Sequence, residues 1–392
     1  MKKTIQMADR LPDQNQSAPK EKIIPDERGL LDVPFLILTI LLVLIGVIMM
    51  FSASYASAYA TEGSSTYYFA RQGVFALVGI GAMLFVSRLN YQMWRALSFP
   101  ILAVTAGLML LTPIIGLTGG GATRWIQVGG IRFQPSEVAK IAIIMTFAAM
   151  ISRYRDKMKD FRTLVPFVVI LGFLVLTLVL QKHLSGIVIL CCVAAAMLFL
   201  GGVQLRWFAL GLGVVGLLGI LYLTTMGYAA DRIIAWRDPW SDPRGAGYQI
   251  IQSLYAIGSG GLMGLGLGRG RQKYLYLPEE HNDYIFPVVC EELGFVGAVV
   301  IILLFMMLIL RGYWIALHAR DRFGALLAAG ISTLLALQVF FNIGVVTNFL
   351  PATGISLPFF SYGGTALLLQ LFEMGLVLSV SRQSDNQLLV SS

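Results

Sequence analysis

The chain has 392 residues, of which 57% are hydrophobic and only 13% charged, and its mean hydropathy is +0.76. Soluble domains carry about a quarter charged residues, so this composition excludes a soluble globular enzyme and leaves no long polar block for a second folded core. The formal net charge of +8 does not point to nucleic acid, because the basic residues fall in short loops between apolar runs, where they act as topology signals.

Residues 1–30 are polar, rich in Pro, Gln, Lys and Asp, and lack apolar periodicity, as expected of a disordered tail. The first apolar run, Val33–Ser54, leads into SASYASAYA, which imitates the small-residue cleavage site of a signal peptide. It exceeds the roughly 7–15 residues of a signal h-region, which favours an uncleaved first span. Further runs lie at Val74–Val86, Ala96–Ile115, Val138–Ile151, Leu164–Leu180, Ser185–Gly202 and Trp207–Thr225. The last are Tyr284–Leu310, Ala325–Phe349 and Ile355–Val380. The expected architecture is an all-α polytopic membrane protein of about ten transmembrane helices. A single membrane domain, residues 31–382, would be followed by a short tail at 383–392.

Placing the N-terminus in the cytoplasm puts Arg88 and Arg95 in one cytoplasmic loop and Arg153, Arg155, Lys157, Lys159 and Arg162 in the next. Arg206, then Arg311, Arg320 and Arg322, then Arg382 follow on the same side. The short loops of the other face are much poorer in Lys and Arg, so the pattern is positive-inside with both termini cytoplasmic. Two outer loops then stand out, 117–134 and the long 226–283 between spans 7 and 8. Within the second, Tyr248–Ile257 is expected to form a short interfacial helix.

Several motifs have competing readings. Gly211–Gly216 spells a dinucleotide fingerprint but lies in an apolar span with no strand before it, so helix packing explains it better. The run Gly258–Gly270 is either a phosphate cradle of backbone amides or a flexible loop. Cys191, Cys192 and Cys290 lack ligand spacing and read as packing residues. His183 reads as a solvated interfacial residue, and His281 has no His or Cys nearby at metal spacing. No structural metal is implied; a divalent ion (Mg or Mn) shared between carboxylates and a pyrophosphate would leave no sequence signature. Glu137 and Lys140, three apart on one helical face, either fix helix contacts as a pair or offer a cation to an anionic substrate.

The stretch Leu277–Gly297 combines Glu279, Glu280, His281 and Asp283 at the mouth of an apolar run that itself carries Glu291 and Glu292. Ionisable groups at membrane depth are costly and default to functional hypotheses. Asp283 (or Asn282) is either the N-cap of the following helix or a general base at the membrane boundary. Glu291, Glu292 and Glu373 also allow a carrier that relays ions, although carriers bind substrate at the midplane and the densest acidic cluster lies at the outer boundary. A non-catalytic scaffold is the third class.

The segments GATRWIQVGGIRFQPSEVAK, DPWSDPRGAGYQIIQSLYAIGSGGLMGLGLG, LPEEHNDYIFPVVCEELGFVG and NFLPATGISLPFFSYGGTALL resemble, in order and across nearly the whole membrane region, the signature segments of the SEDS family. Its members are the FtsW, RodA and SpoVE proteins; the FSAS ending the first run is more similar to the FtsW and SpoVE branch. The resemblance implies a ten-span fold and a peptidoglycan glycosyltransferase that polymerises lipid II. It also implies a class B penicillin-binding protein (a transpeptidase) as partner, with other divisome proteins and membrane lipids around it. By similarity the family's catalytic Asp falls on Asp283, with Asn282 where Thr is usual. Arg124, Trp125, Glu137 and Lys140 match the first outer loop and the helix after it, and Ser361, Tyr362 and Gly363 match its SYGG segment. Arg244, Tyr248 and His281 join these as candidate substrate contacts, with Glu291 and Glu292 as buried structural acids. The family's QPDLG is replaced by a run from Gln181 to Gly186 in which Lys182 and His183 stand where an acid is usual.

Overall fold

The computed structural model describes residues 29–383, apart from 120, 121, 130, 212, 214, 215 and 217–226. Nearly all of the two expected tails, and most of the expected span Trp207–Thr225, lie outside the described residues. The elements are α1 (Val33–Glu62), α2 (Tyr67–Val86), α3 (Gln92–Ile115), α4 (Pro135–Tyr154), α5 (Phe161–Leu180) and α6 (Leu184–Leu200). After them come α7 (Gly227–Arg237), α8 (Tyr248–Ser259), α9 (Ile285–Leu317), α10 (Arg322–Val346) and α11 (Gly364–Arg382). Among the described residues eight helices, α1–α5 and α9–α11, are long and apolar enough to cross a membrane, and α6 is a shorter apolar helix.

Local chemistry explains the helix ends. Asp32 caps α1 by accepting from the Phe35 amide at 2.9 Å, and Pro34 stands in the first turn, where its missing N–H costs nothing. The helix runs past Ser54 to Glu62, and Ser52, Ala53, Ser54, Ser57 and Ala58 are buried within it, so the small residues that imitate a cleavage site are packing residues. The last expected span is corrected: helix begins only at Gly364. Pro358 and the left-handed backbone at Gly354 (φ 72°) and Phe359 (φ 65°) keep residues 351–363 out of a helix. The loop expected at 117–134 is also more ordered than its composition suggests. Strands β1 (Leu117–Gly119), β2 (Ala122–Val128) and β3 (Ile131–Phe133) form an antiparallel sheet in the order β1-β2-β3, with Ile126 opposite Phe133.

Helix α4 lies at the centre of the bundle, with every residue of 139–152 buried, and packs on α3, α6 and α10. Helix α9 packs on α1, α8 and α10, and α11 on α2. Around this core α2, α3 and α5 present large apolar side chains outward, such as Leu77, Ile114 and Leu176. A belt of that kind suits hydrocarbon and would be costly in water. Each end of the bundle is tied by polar contacts. At one end Arg311 grips Asp32 at 3.0 Å, the Tyr91 hydroxyl donates to Asp321, Arg322 donates to the Gly201 carbonyl and Ser379 to the Leu89 carbonyl. The other end carries the sheet, α7, α8 and the segment around Asp283.

Candidate functional site

The acidic stretch folds into turns ahead of α9, and its backbone is held from three directions. Tyr362 N–H donates to the His281 carbonyl at 2.8 Å and Ser361 Oγ to the Asn282 carbonyl at 2.7 Å. Asn342 Nδ2, from α10, donates to the Asp283 carbonyl at 2.8 Å. The residue at the N-cap of α9 is Tyr284, which makes no capping bond, so Asp283 and Asn282 do not cap the helix. Asn282 Nδ2 instead donates to Glu279 and fixes that carboxylate beside Asp283.

Asp283 is half-buried, and none of the hydrogen bonds among the described residues ends on its carboxylate. Burial and then the Glu279 charge push its pKa up to about 6, against the opposing pull of Arg124 and Arg232. The result is a carboxylate that titrates near neutral pH within electrostatic range of two guanidiniums. Arg124 acts from β2, where its Nη2 donates to the Lys182 carbonyl, and Arg232 from α7, where it donates to the Ala352 carbonyl at 2.7 Å. A Cβ on Gly354 would lie 3.1 Å from Asp283 Oδ2, so this glycine forms the close wall on the other side. An aromatic cluster flanks the same segment: Tyr68 stacks on His281 with centroids 4.8 Å apart, and Tyr362 meets Tyr68 edge-on. Gln72, fully buried on α2, secures the Tyr362 side by donating to the Ser361 carbonyl and accepting from Gly363 N–H.

Below the site α9 is broken at Gly294, whose φ of 70° and ψ of −172° are not helical. The break frees backbone groups in the apolar interior, and the loop after α8 satisfies them. Leu265 and Gly266 amides donate to the Glu291 and Glu292 carbonyls, while Phe295 and Val296 amides donate to the Gly261 and Leu262 carbonyls. The approach is so close that a Cβ on Gly294 would meet Gly264 N at 2.2 Å. The two buried side chains continue the fastening. Glu291 accepts from the Arg271 and Gln272 amides; Glu292 accepts from the Gly268 and Gly270 amides, from Ser52 and from Lys273 at 2.7 Å. Within the run Gly258–Gly270, the Gly268 and Gly270 amides are thus committed to the Glu292 carboxylate and those of Leu265 and Gly266 to backbone carbonyls, which speaks against a phosphate cradle.

Glu137 and Lys140 pair at 2.7 Å on the first turns of α4, and Glu373 on α11 lies within electrostatic reach of both. His183 is corrected: it is buried, not solvated, with Nε2 3.5 Å from the Gln134 amide and Nδ1 without a partner. Burial, then the charges of Arg124 and Lys140, lower its pKa to about 3, so it is neutral. The basic replacement in this segment therefore adds no charge at His183. Trp125 lies on β2 beside Arg124, half-exposed. Arg244 is exposed on the turn that Asp242 builds with the Gly245 and Ala246 amides, and Tyr248 opens α8. No hydrogen bond or ion pair among the described residues joins Arg244 or Tyr248 to Asp283; beside Tyr248, Gln249 Nε2 donates to the Pro278 carbonyl at 3.3 Å. Lys273, Asn342, Gln72, Tyr68 and Arg232 were not singled out from sequence. None carries a local signal; even Lys273 is followed by Glu279 and Glu280, whereas the fold pairs it with Glu292.

The chain matches the family model described as cell cycle protein (FtsW, RodA, SpoVE) over residues 33–386. It is 44% identical over 356 residues to the probable peptidoglycan glycosyltransferase FtsW of Geobacter metallireducens, covering 89% of this chain and 94% of that one. It is 42% identical over 357 residues to stage V sporulation protein E of Bacillus subtilis, covering 90% and 97%. Among solved structures it resembles a chain of a peptidoglycan synthase complex in which polymerization and crosslinking are coordinated, with a TM-score of 0.75 and 27% identity over 90% of this chain and 98% of that one. The rod shape determining protein RodA of Thermus thermophilus follows with a TM-score of 0.68 and 25% identity, covering 91% and 98%.

Proposed function

The chain belongs to the FtsW, RodA and SpoVE family of cell cycle proteins, and from that premise we propose a peptidoglycan glycosyltransferase that polymerises lipid II at the outer face of the cytoplasmic membrane, with Asp283 as general base. The observation that carries the residue assignment is a half-buried carboxylate set against the Gly354 wall, its pKa raised to about 6 by burial and Glu279 against the charges of Arg124 and Arg232. A base works best when its pKa lies near the working pH. Asp283 takes the proton of the acceptor GlcNAc 4-hydroxyl as that oxygen attacks C1 of the growing chain's terminal MurNAc. The C1–oxygen bond to undecaprenyl pyrophosphate breaks, and its electron pair leaves with the pyrophosphate. Arg124, Arg232 and Lys140 are the cations suited to that developing charge. Arg244 and Tyr248, on the turn leading into α8, have weaker support as substrate contacts. Among the described residues no three His, Cys, Asp or Glu side chains converge on a metal site, so a divalent ion here would be held jointly with the substrate's phosphates.

A class B penicillin-binding protein is the partner this reading calls for, since newly made strands must be cross-linked and a solved relative is part of a synthase complex that coordinates the two steps. The carrier reading loses two of its three acids, because Glu291 and Glu292 are occupied by loop amides and Lys273, which leaves Glu373 alone. The test is purified protein, with and without that partner, mixed with labelled lipid II. Glycan product supports the enzyme, lipid translocation without product the carrier, and neither outcome the scaffold.

A further inference from the structure

We propose that Asn342 is a positioning residue that sets the gap between the base Asp283 and the Gly354 wall, an inference that rests on the Asp283 assignment. One nitrogen does this: Asn342 Nδ2 donates to the Asp283 carbonyl and to the Ile355 carbonyl, each at 2.8 Å. These two carbonyls belong to separate loops, one before α9 and one after α10, and Asn342 is 1% exposed on α10 between them. Its Oδ1 is buried without a partner. A side chain kept only for stability would be expected to satisfy that oxygen too, because an orphaned buried acceptor is destabilising. The slot is lined by the carboxylate of Asp283 itself on one side and, on the other, by Gly354, the neighbour of Ile355, whose missing Cβ leaves Oδ2 just enough room.

The carboxylate of Asp283 owes its raised pKa first to burial. Releasing Asn342 lets the two loops part, admits water to the slot and lowers that pKa. It also loosens the angle at which the base meets the acceptor hydroxyl, an effect on kcat more than on KM. The loss of a backbone tie elsewhere has neither consequence. Ser379 provides the comparison, since its hydroxyl holds the Leu89 carbonyl at 2.6 Å at the opposite end of the bundle.

The experiment compares Asn342→Ala, Ser379→Ala and Asp283→Asn in full-length protein with its synthase partner, reading kcat and KM for lipid II, the pH–rate profile and Tm. Asn342→Ala is expected to lower kcat at least 10-fold with KM changed less than 3-fold, and to move the acidic limb of the profile to lower pH. Ser379→Ala should lower Tm comparably and leave both kinetic readouts unchanged. An Asn342→Ala protein that folds and keeps wild-type kcat and limb, while Asp283→Asn is inactive, overturns the positioning role alone. Activity in Asp283→Asn overturns the base assignment itself. Should Asn342→Ala fail to fold, Asn342→Ser, which keeps one donor, is expected to show a smaller shift in the same direction, and a wild-type limb in that variant also overturns the role.

Discussion

At the scale of single residues the balance around Asp283 is between burial and Glu279, which favour the neutral acid, and Arg124 and Arg232, which favour the carboxylate. A base must be ionised to act. With its pKa raised to about 6, the proposed activity falls as pH drops through 6 and is flat above it, as a pH–rate profile will show. Replacing Glu279 by Gln removes a repelling charge that Asn282 holds in place, so the same limb should move to lower pH while kcat at pH 8 changes by less than about 3-fold. Asp283→Asn keeps the shape and removes the base. Strand synthesis should fall by about 10²–10⁴-fold, and Tm at pH 8 should not drop, because a partly desolvated charge is lost with it. His183 shows the limit of counting charges: a basic residue in the sequence is neutral once it is buried beside Arg124 and Lys140.

At the scale of elements the broken helix α9 and the glycine-rich loop form one unit, because each supplies the backbone partners that the other lacks. The Lys273–Glu292 pair lies at its centre, with both side chains almost wholly buried. Removing one partner of a buried pair leaves an uncompensated charge and costs about 3–5 kcal/mol, whereas replacing both by apolar residues costs far less. Lys273→Met should therefore lower Tm more than Lys273→Met combined with Glu292→Leu, although the double variant also surrenders the Gly268 and Gly270 amide contacts. Thermal unfolding in detergent of the two variants beside wild type checks this, and equal losses would argue that the pair is not coupled. The sequence shows why such a unit was only half legible. Glu291 and Glu292 stand out as acids in an apolar run, but the loop that accepts them lies about twenty residues away, and only a three-dimensional arrangement brings its amides to them.

At the scale of the whole molecule the two ends of the bundle differ in kind. The end with Asp32 and Arg311 is tied by short side-chain contacts between helix termini, whereas the end with Asp283 carries a sheet, two short helices and long loops. In the orientation proposed from the distribution of Lys and Arg, the first faces the cytoplasm. Trp240 is 55% exposed at the Asp283 end and Leu205 is 70% exposed at the other. In intact cells an impermeant thiol reagent should label Trp240→Cys directly and Leu205→Cys only after the membrane is opened. The native cysteines lie half-buried or buried within α6 and α9, which keeps the background low, and the opposite labelling pattern would invert the proposed orientation. Much of this architecture was determined by the sequence alone. Apolar runs of membrane length, the charge bias of the loops and the Asp283 stretch all follow from local composition, since hydrocarbon tolerates only helices with their backbone bonds satisfied. What tertiary structure decided was which distant groups meet. The break in α9, closed by the loop after α8, the Asn342 bridge to Asp283 and the hold of Gln72 on the Ser361 carbonyl depend on hydrogen-bond partners tens to hundreds of residues apart, and periodicity carries no record of them.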